Sequence, residues 1–467
     1  MTKPWTQTPK VAVVGGGLAG LAAACALADT GLQVTLFERR PYLGGRASSY
    51  QHPGTGEIVD NCQHVLLGCC TNLIQFYQRL GVEEKIRWFD RMTFLEPGGR
   101  ASVIGPSSWP APLHTAPAFL KAACLGFQDK LAIAAAMAAL APMTPKDTGE
   151  SFLTWLKRHG QTDRAIERFW KTVLVSALNE DVGRLSVPYA AQVMRESFLK
   201  SSHAGRMGIP TVPLTDLYHS AADYVRVRGG DVQFRASVES FRAEFAGVDL
   251  RLAEGDQRFD FIVFAVPFDV LSQILPKTTA ADPLRQALSQ FRTSPITGVH
   301  LWFDRQITDL DHAVLLDRTI QWMFHKSQLL TGKGSANGSY VELVVSSSNS
   351  LVEKSRVEII DLAVAELREF FPAAREANLV KSTVIKEVHA TYSPRPGVDH
   401  YRPASETVWP RVFLAGDWTA TGWPATMEGA VRSGYAAAQR VAWVAGARDA
   451  SFLVPDLPAS GFMRLFG

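Results

Sequence analysis

Cysteine is scarce in this 467-residue chain. The five present, Cys25, Cys62, Cys69, Cys70 and Cys124, are odd in number and lack the paired C-x-x-C spacing of a zinc site. That excludes a disulfide scaffold and a cysteine-built metal centre, no metal is expected, and the thiols read as reduced and mostly buried. Charge of one sign is lacking as well: 48 basic and 45 acidic residues are interspersed for a formal net charge of +3, which leaves no footprint for nucleic acid. Long apolar runs are also missing, since nothing reaches the roughly 20 residues that cross a bilayer. The nearest, "LAIAAAMAALAPM" from Leu131 to Met143, reads as a buried Ala-rich helix, with a helix lying on a membrane surface as the alternative. The tail "SGFMRLFG" raises the same alternative with Phe, Leu and Arg. The polar opening "MTKPWTQTPK" lacks a charged-then-apolar signal, so the expected compartment is the cytoplasm.

What is present is apolar material for a core: 46% of the residues are hydrophobic, enough for two or three domains. The stretch "KVAVVGGGLAGLAAACALADTGLQVTLFERR" opens with an apolar strand, Val11 to Val14, followed by Gly15-x-Gly17-Leu18-Ala19-Gly20 and an Ala/Leu helix. Glycines there permit a tight turn, close approach of the backbone to a pyrophosphate and close packing of helix on strand, while the helix start offers N–H groups. A second strand, Val34 to Phe37, ends at Glu38, whose carboxylate suits ribose hydroxyls, with Arg39 beside it. The doublet Gly44-Gly45 and Arg46 follow directly in "RRPYLGGRASS". A second close backbone approach and a fixed cation favour FAD over NAD, because FAD has more to hold.

Near the other end, "FLAGDWTATGWPATMEGAVRSG" stops an apolar run at Gly416-Asp417 and opens a helix around Met427-Glu428-Gly429-Ala430. Together with the glycine fingerprint, Glu38 and "LGGRASS", this resembles the flavin amine oxidase and carotenoid desaturase superfamily over the whole chain. The resemblance implies that both chain ends fold onto one FAD, with Gly416 and Asp417 at the ribityl and diphosphate region and Met427 to Ala430 setting a helix start near the flavin ring. It also implies that the backbone at Val238, in "GGDVQFRASVESF", holds the adenine, and that Ala265-Val266-Pro267 ends a strand beside the diphosphate. The expected fold class is α/β: a Rossmann-like FAD-binding domain assembled from discontinuous segments, with an inserted α+β substrate domain of the amine oxidase and phytoene desaturase kind. The FAD domain is expected over 1–80, 224–276 and 406–467, and the substrate domain over 81–223 and 277–405. In the second insertion "ITGVHLWFD" and "GSYVELVVSSS" alternate like strands and "VEIIDLAVAELREFF" has helical periodicity.

Within that superfamily the chain is most similar to the hydroxysqualene dehydroxylases of bacterial hopanoid synthesis. The residues that carry this are "DNCQHVLLGCCTN" (Asp60 to Asn72), "ALNEDVGRLSVPYAAQVMRESFL" (Ala177 to Leu199), "GIPTVPL" (Gly208 to Leu214) and "GDWTATGWPATMEGAVRSG" (Gly416 to Gly434). One departure stands out: Asn61-Cys62 precedes Gln63-His64 where the resemblance leads one to expect a glycine, so this loop should follow a different path. The implied reaction removes an allylic hydroxyl from a C30 isoprenoid, hydroxysqualene, to give squalene, and it needs an acid, an apolar tunnel and a reductant. Asp60, His64 and Glu180 are the candidate acids, each also readable as structural. Trp423 is a candidate to stabilise a developing cation with its ring face, or simply to shape the tunnel end. The electron donor is NAD(P)H or another protein, since no second glycine fingerprint provides a nicotinamide domain. The insoluble substrate adds an expected peripheral contact with the inner face of the cell membrane. A carotenoid-type desaturase is the nearest alternative; an amine oxidase or a flavin-free prenyl binder like the GDP dissociation inhibitors ranks lower.

Overall fold

The computed structural model describes residues 7–142, 145–330 and 338–466. Residues 1–6 of the polar opening, Met143 of the apolar run and Gly467 of the tail lie outside the described residues.

Five short strands form one wholly parallel sheet in the order 231–234, 33–38, 10–14, 261–264, 412–414. The central strands, Lys10–Val14 (KVAVV) and Phe261–Phe264 (FIVF), are apolar runs without alternation because both faces of a parallel sheet are covered. On one face sits the helix Leu18–Ala28, in which every residue is buried. An all-round apolar sequence such as LAGLAAACALA is stable only in that setting. Helix Met427–Ala445 packs directly on it, close enough that a Cβ at Gly434 would stand 2.1 Å from the Ala19 carbonyl oxygen. The other face is closed by the antiparallel meander Val238–Glu244, Gly247–Leu252 and Gly255–Phe259, with Phe241 against Phe264 and Phe259 against Phe37.

The second body is built on a seven-stranded sheet in the order 379–392, 293–303, 339–346, 322–325, 312–315, 92–95, 101–104. Helix Arg356–Phe370, started by a Ser355/Glu358 capping box, buries Ile359, Ala363, Leu367 and Phe370 against it. The strands and helix expected in the second insertion form as read. The first insertion, 81–223, also supplies Met92–Leu95 and Ala101–Ile104 to this sheet. Strands of four residues carry too little alternation to stand out in the sequence.

Two expectations need correction. The boundary at 224 cuts through helix Leu214–Val227, which buries Leu214, Leu217, Tyr218, Ala221, Ala222 and Val225 in the same core as helix Leu18–Ala28. Its packing therefore moves that edge back to Leu214. The apolar run at 131–143 is not a buried helix: helix Phe127–Leu140 buries only Asp129, Ile133, Ala136 and Leu140, and leaves Phe127 71% and Leu131 55% exposed. All five cysteines are free, four of them buried.

Candidate functional site

The parallel sheet ends in a cavity of about 380 Å³, and the sequence-named glycines converge on its rim. Gly15 (φ +110°) donates its N–H to the Phe37 carbonyl at 2.8 Å, and a Cβ there would meet the Ala265 oxygen at 2.6 Å, so only glycine fits. Gly17 begins helix Leu18–Ala28 without a side-chain cap, and the first turn holds no acid. The unpaired N–H groups of that turn therefore face a cavity lined by Gly17, Leu18 and Ala19, an arrangement that binds diphosphate. Gly20 serves packing, since its Cβ would lie 1.9 Å from the Gly15 oxygen. Gly44 and Gly45, both at positive φ, fold back on this turn; Gly44 N–H donates to the Gly16 oxygen at 2.9 Å.

Glu38 is 6% exposed and accepts from the Gly16 and Arg40 backbone N–H groups, each at 2.7 Å. These bonds orient its carboxylate at the end of the second strand, where Arg39 and Val238 join it on the cavity wall. Arg46 pairs with Asp417 at 2.6 Å and donates to the Ala390 oxygen at 2.9 Å. Gly416 donates to Ser433 Oγ at 2.7 Å. The buried Arg402 guanidinium donates to the Asp417 oxygen at 3.1 Å and the Trp423 oxygen at 2.7 Å, which fixes the loop between them. Thus the first and last segments meet across one cavity.

Met427 and Ala430 line that cavity, whereas Glu428 and Gly429 do not. Glu428 is 1% exposed and turns away to accept from the Asn72 and Leu73 N–H groups at 3.1 and 2.7 Å. It caps the free start of helix Thr71–Leu80, a structural use of the same helix-end physics. Gly429 is required by contact, because a Cβ would stand 2.4 Å from the Pro424 oxygen.

The catalytic candidates separate. Burial alone would raise the Asp60 pKa, but Lys326 Nζ at 2.7 Å, Ser49 Oγ at 2.6 Å and the Leu214 N–H hold it below the usual carboxylate range. These contacts favour the Asp60 carboxylate over its protonated form, which runs against the acid role. Glu180 does not line this cavity; it accepts from Arg184 at 2.6 Å and from Ser393. The residue of that motif that reaches the cavity is Asn179, at φ +52° on the helix end, held by bonds to Ser294, Thr391 and Ser347. Asparagine tolerates that left-handed position, a signal the sequence did carry. His64 lines the cavity, its Nδ1 2.7 Å from the Cys62 oxygen, and burial pushes its pKa below the imidazole norm. Trp423 is absent from this cavity; its ring lies 4.5 Å from the Arg432 guanidinium, which already occupies a face. That face is taken by a cation already, and the ring lines the adjoining cavity instead, where it shapes the wall.

Behind the Cys62–His64 loop lies a cluster that no motif announced. Lys326, 2% exposed, donates to Asp60 and to Gln63 Oε1, both at 2.7 Å, and stands 3.5 Å from Glu342. Burial raises the Glu342 pKa to about 8, with Lys326 opposing only part of the rise. A second cavity of about 180 Å³, lined by Leu67, Met92, Phe94, Val193, Phe198 and Trp423 among others, adjoins the first.

The parallel sheet with two glycine turns, the ribose acid and the returning C-terminal helix defines a two-domain flavoprotein. The chain belongs to the flavin containing amine oxidoreductase family, whose profile matches residues 18–442, and its cofactor is FAD. It is 28% identical over 468 residues to a 15-cis-phytoene desaturase of Synechococcus elongatus, covering 92% of this chain and 95% of that one. To a probable zeta-carotene desaturase of the same organism it is 26% identical, covering 92% and 98%. Among solved structures it matches a putative protoporphyrinogen oxidase from Exiguobacterium sp. 255-15 with TM-score 0.67 and 16% identity, covering 94% of this chain and 99% of that one. It matches cyclohexylamine oxidase from Brevibacterium oxydans with TM-score 0.68 and 17% identity, covering 94% and 100%. The structural likeness establishes the fold.

Proposed function

We propose that this chain is an FAD-dependent oxidoreductase acting on a long isoprenoid polyene. The observation that carries this reading is the second cavity: apolar over most of its wall and joined to the cofactor cavity, it suits a hydrocarbon chain held by buried area. FAD, when bound, would supply or take up hydride. The chain's own residues bind the polyene, exclude water and present one carbon at the junction.

Desaturation is the first reading, in line with the desaturase relatives. It requires no acid for a leaving hydroxyl, and the sequence-named carboxylic acids do not supply one: the contacts of Asp60 favour its carboxylate and Glu180 faces elsewhere. Reductive dehydroxylation of hydroxysqualene is the second reading, favoured by the motifs from Asp60 to Asn72 and from Ala177 to Leu199. There His64 is the titratable candidate that faces the cavity, but burial favours its neutral form, so the proton for the leaving hydroxyl comes from another source; NAD(P)H is the electron donor, whereas desaturation uses a quinone-type acceptor. The accompanying domain division assigns 1–80, 214–276 and 406–467 to FAD, and the remainder to substrate. One experiment separates the readings: oxidised holoenzyme with a quinone and phytoene, beside anaerobically reduced holoenzyme with hydroxysqualene, products followed by mass spectrometry. A more unsaturated polyene supports desaturation. Squalene in step with flavin reoxidation assigns dehydroxylation and retires the first reading, and absence of both products rejects the polyene substrate.

The insoluble substrate adds a membrane surface to this proposal. Trp109, Leu120, Phe127, Leu131, Phe462 and Leu465 all expose apolar side chains, with Lys121 and Arg464 exposed beside them. The two segments are tied together, Phe462 N–H donating to the Ala111 oxygen at 2.8 Å, and Met463 packs with Ala111, Ala141 and Leu199. Apolar side chains rimmed by cations suit an anionic lipid surface. Among the described residues no helix is long and apolar enough to cross a membrane.

A further inference from the structure

The larger cavity is lined by the glycine turns, Glu38 and Asp417 that would hold the cofactor, which leaves the smaller, mostly apolar one for an apolar substrate, and the two share a wall. Val65, Ser176, Ala177, Trp322, Thr426 and Met427 line both. Trp322 is the one aromatic side chain in that set, and it is held from two directions. Its Nε1 donates to Ser176 Oγ at 2.7 Å, and the Ser176 hydroxyl in turn donates a hydrogen bond to the Thr172 oxygen at 2.7 Å. The indole also stacks on Phe324, with ring centroids 5.5 Å apart and planes 9° from parallel. Trp322 begins the substrate-sheet strand Trp322–His325, whereas Ser176 lies on helix Thr172–Leu178 of the first insertion. The indole thus bridges two elements at the point where the cavities meet. Its backbone is secured by pairing with Val314 on one side and Val344 on the other.

We propose that Trp322 is a specificity-determining residue: its indole partitions the two cavities and sets how far an apolar chain in the smaller one advances toward the flavin. This rests on the polyene reading above. A rigid ring at that join limits the length of chain that passes it, so the reacting carbon is chosen by its distance from the partition. The chemistry of the wall supports steric selection. The smaller cavity gives a hydrocarbon few directed polar contacts, and the indole N–H, the polar group of the partition, is already committed to Ser176. An apolar chain distinguished only by shape and length is discriminated by what blocks it.

The test titrates oxidised, FAD-loaded enzyme with geraniol, farnesol and geranylgeraniol while following the flavin absorbance. In the wild type, affinity rises with chain length and levels off where the partition stops the chain. Trp322→Ala, which removes the partition, is expected to level off at a longer chain and to bind geranylgeraniol on the order of tenfold more tightly, the return on burying roughly two more methylene groups. Trp322→Phe keeps the stacking on Phe324 and loses the bond to Ser176; it should fall between the two, and its FAD content reports folding independently. A wild type that responds to the series, with Trp322→Ala and Trp322→Phe matching its length dependence, overturns the assignment alone. A wild type that responds to none of the alcohols overturns the polyene reading and this assignment together.

Discussion

At the scale of single residues, the cluster around Lys326 couples an ordinary ion pair to an acid that stays protonated. Asp60 and Lys326 form the charged pair, and Glu342, with burial raising its pKa to about 8, is chiefly neutral at pH 7. The sign of its effect on stability follows. Between its ordinary value of 4.5 and about 8 the folded protein holds a proton that the unfolded chain has lost, so this group's contribution declines as pH rises through that window. Glu342→Gln keeps the neutral shape and removes the titration. Its melting temperature is expected to fall less than that of the wild type between pH 5 and about 8; parallel thermal melts across that range check it, and identical slopes in both proteins refute it. None of this was legible in the sequence. Lys326 stands in "HKSQL", without a motif, and its partner Asp60 lies 266 positions away. By contrast Gly15, Gly17 and Gly45 were legible because tight turns and close backbone approach dictate residue type within a short local stretch, and Glu38 because it ends the next strand.

At the scale of elements, the contact that shapes the cofactor site is the crossing of helices Leu18–Ala28 and Met427–Ala445. Gly434 has no side chain there because the Ala19 oxygen would lie 2.1 Å from its Cβ. Gly434→Val is expected to force the helices apart, at a cost of about 2–3 kcal/mol, as overpacking a tight core does. It should also loosen the rim formed by Met427 and Ala430. Lower melting temperature together with FAD lost to the filtrate on gentle ultrafiltration would bear this out; full retention of FAD with an unchanged melting temperature would refute it. The helices themselves were readable from Ala-rich and periodic sequence, whereas the strands Met92–Leu95 and Ala101–Ile104 were not. A four-residue strand carries too little alternation to announce itself, and only the partner strand His312–Leu315, far along the chain, reveals its sheet.

At the scale of the whole molecule, two features lie on the surface and between bodies. The exposed apolar side chains of Phe127, Leu131 and Leu465 are expected to bind vesicles containing phosphatidylglycerol, and less well as salt rises, because Lys121 and Arg464 act through a screened field. Co-sedimentation of wild type with such vesicles, set against a Phe127→Ser/Leu131→Ser/Leu465→Ser variant, measures this; equal binding of the two removes these side chains from the membrane contact. The apolar segments were visible in the sequence, but which of their faces is bare depends on what packs behind them, and Met463 against Ala141 decides that.

The pairing of Arg46 with Asp417 bears on how the protein is made. These partners are 371 positions apart, and the last strand of the parallel sheet, Val412–Leu414, arrives with Asp417. At ordinary ribosome speed the first glycine turns emerge roughly 20 to 75 seconds before the segment that closes the site over the cofactor. During that interval strand Phe261–Phe264, once translated, presents an open edge of FIVF sequence with no neighbour to cover it. The nascent chain thus passes through a stage in which it cannot yet enclose its cofactor and is most exposed to sticking to its neighbours on the polysome, so slow synthesis near the 3′ end of the message would lower the yield of yellow protein without altering a single residue.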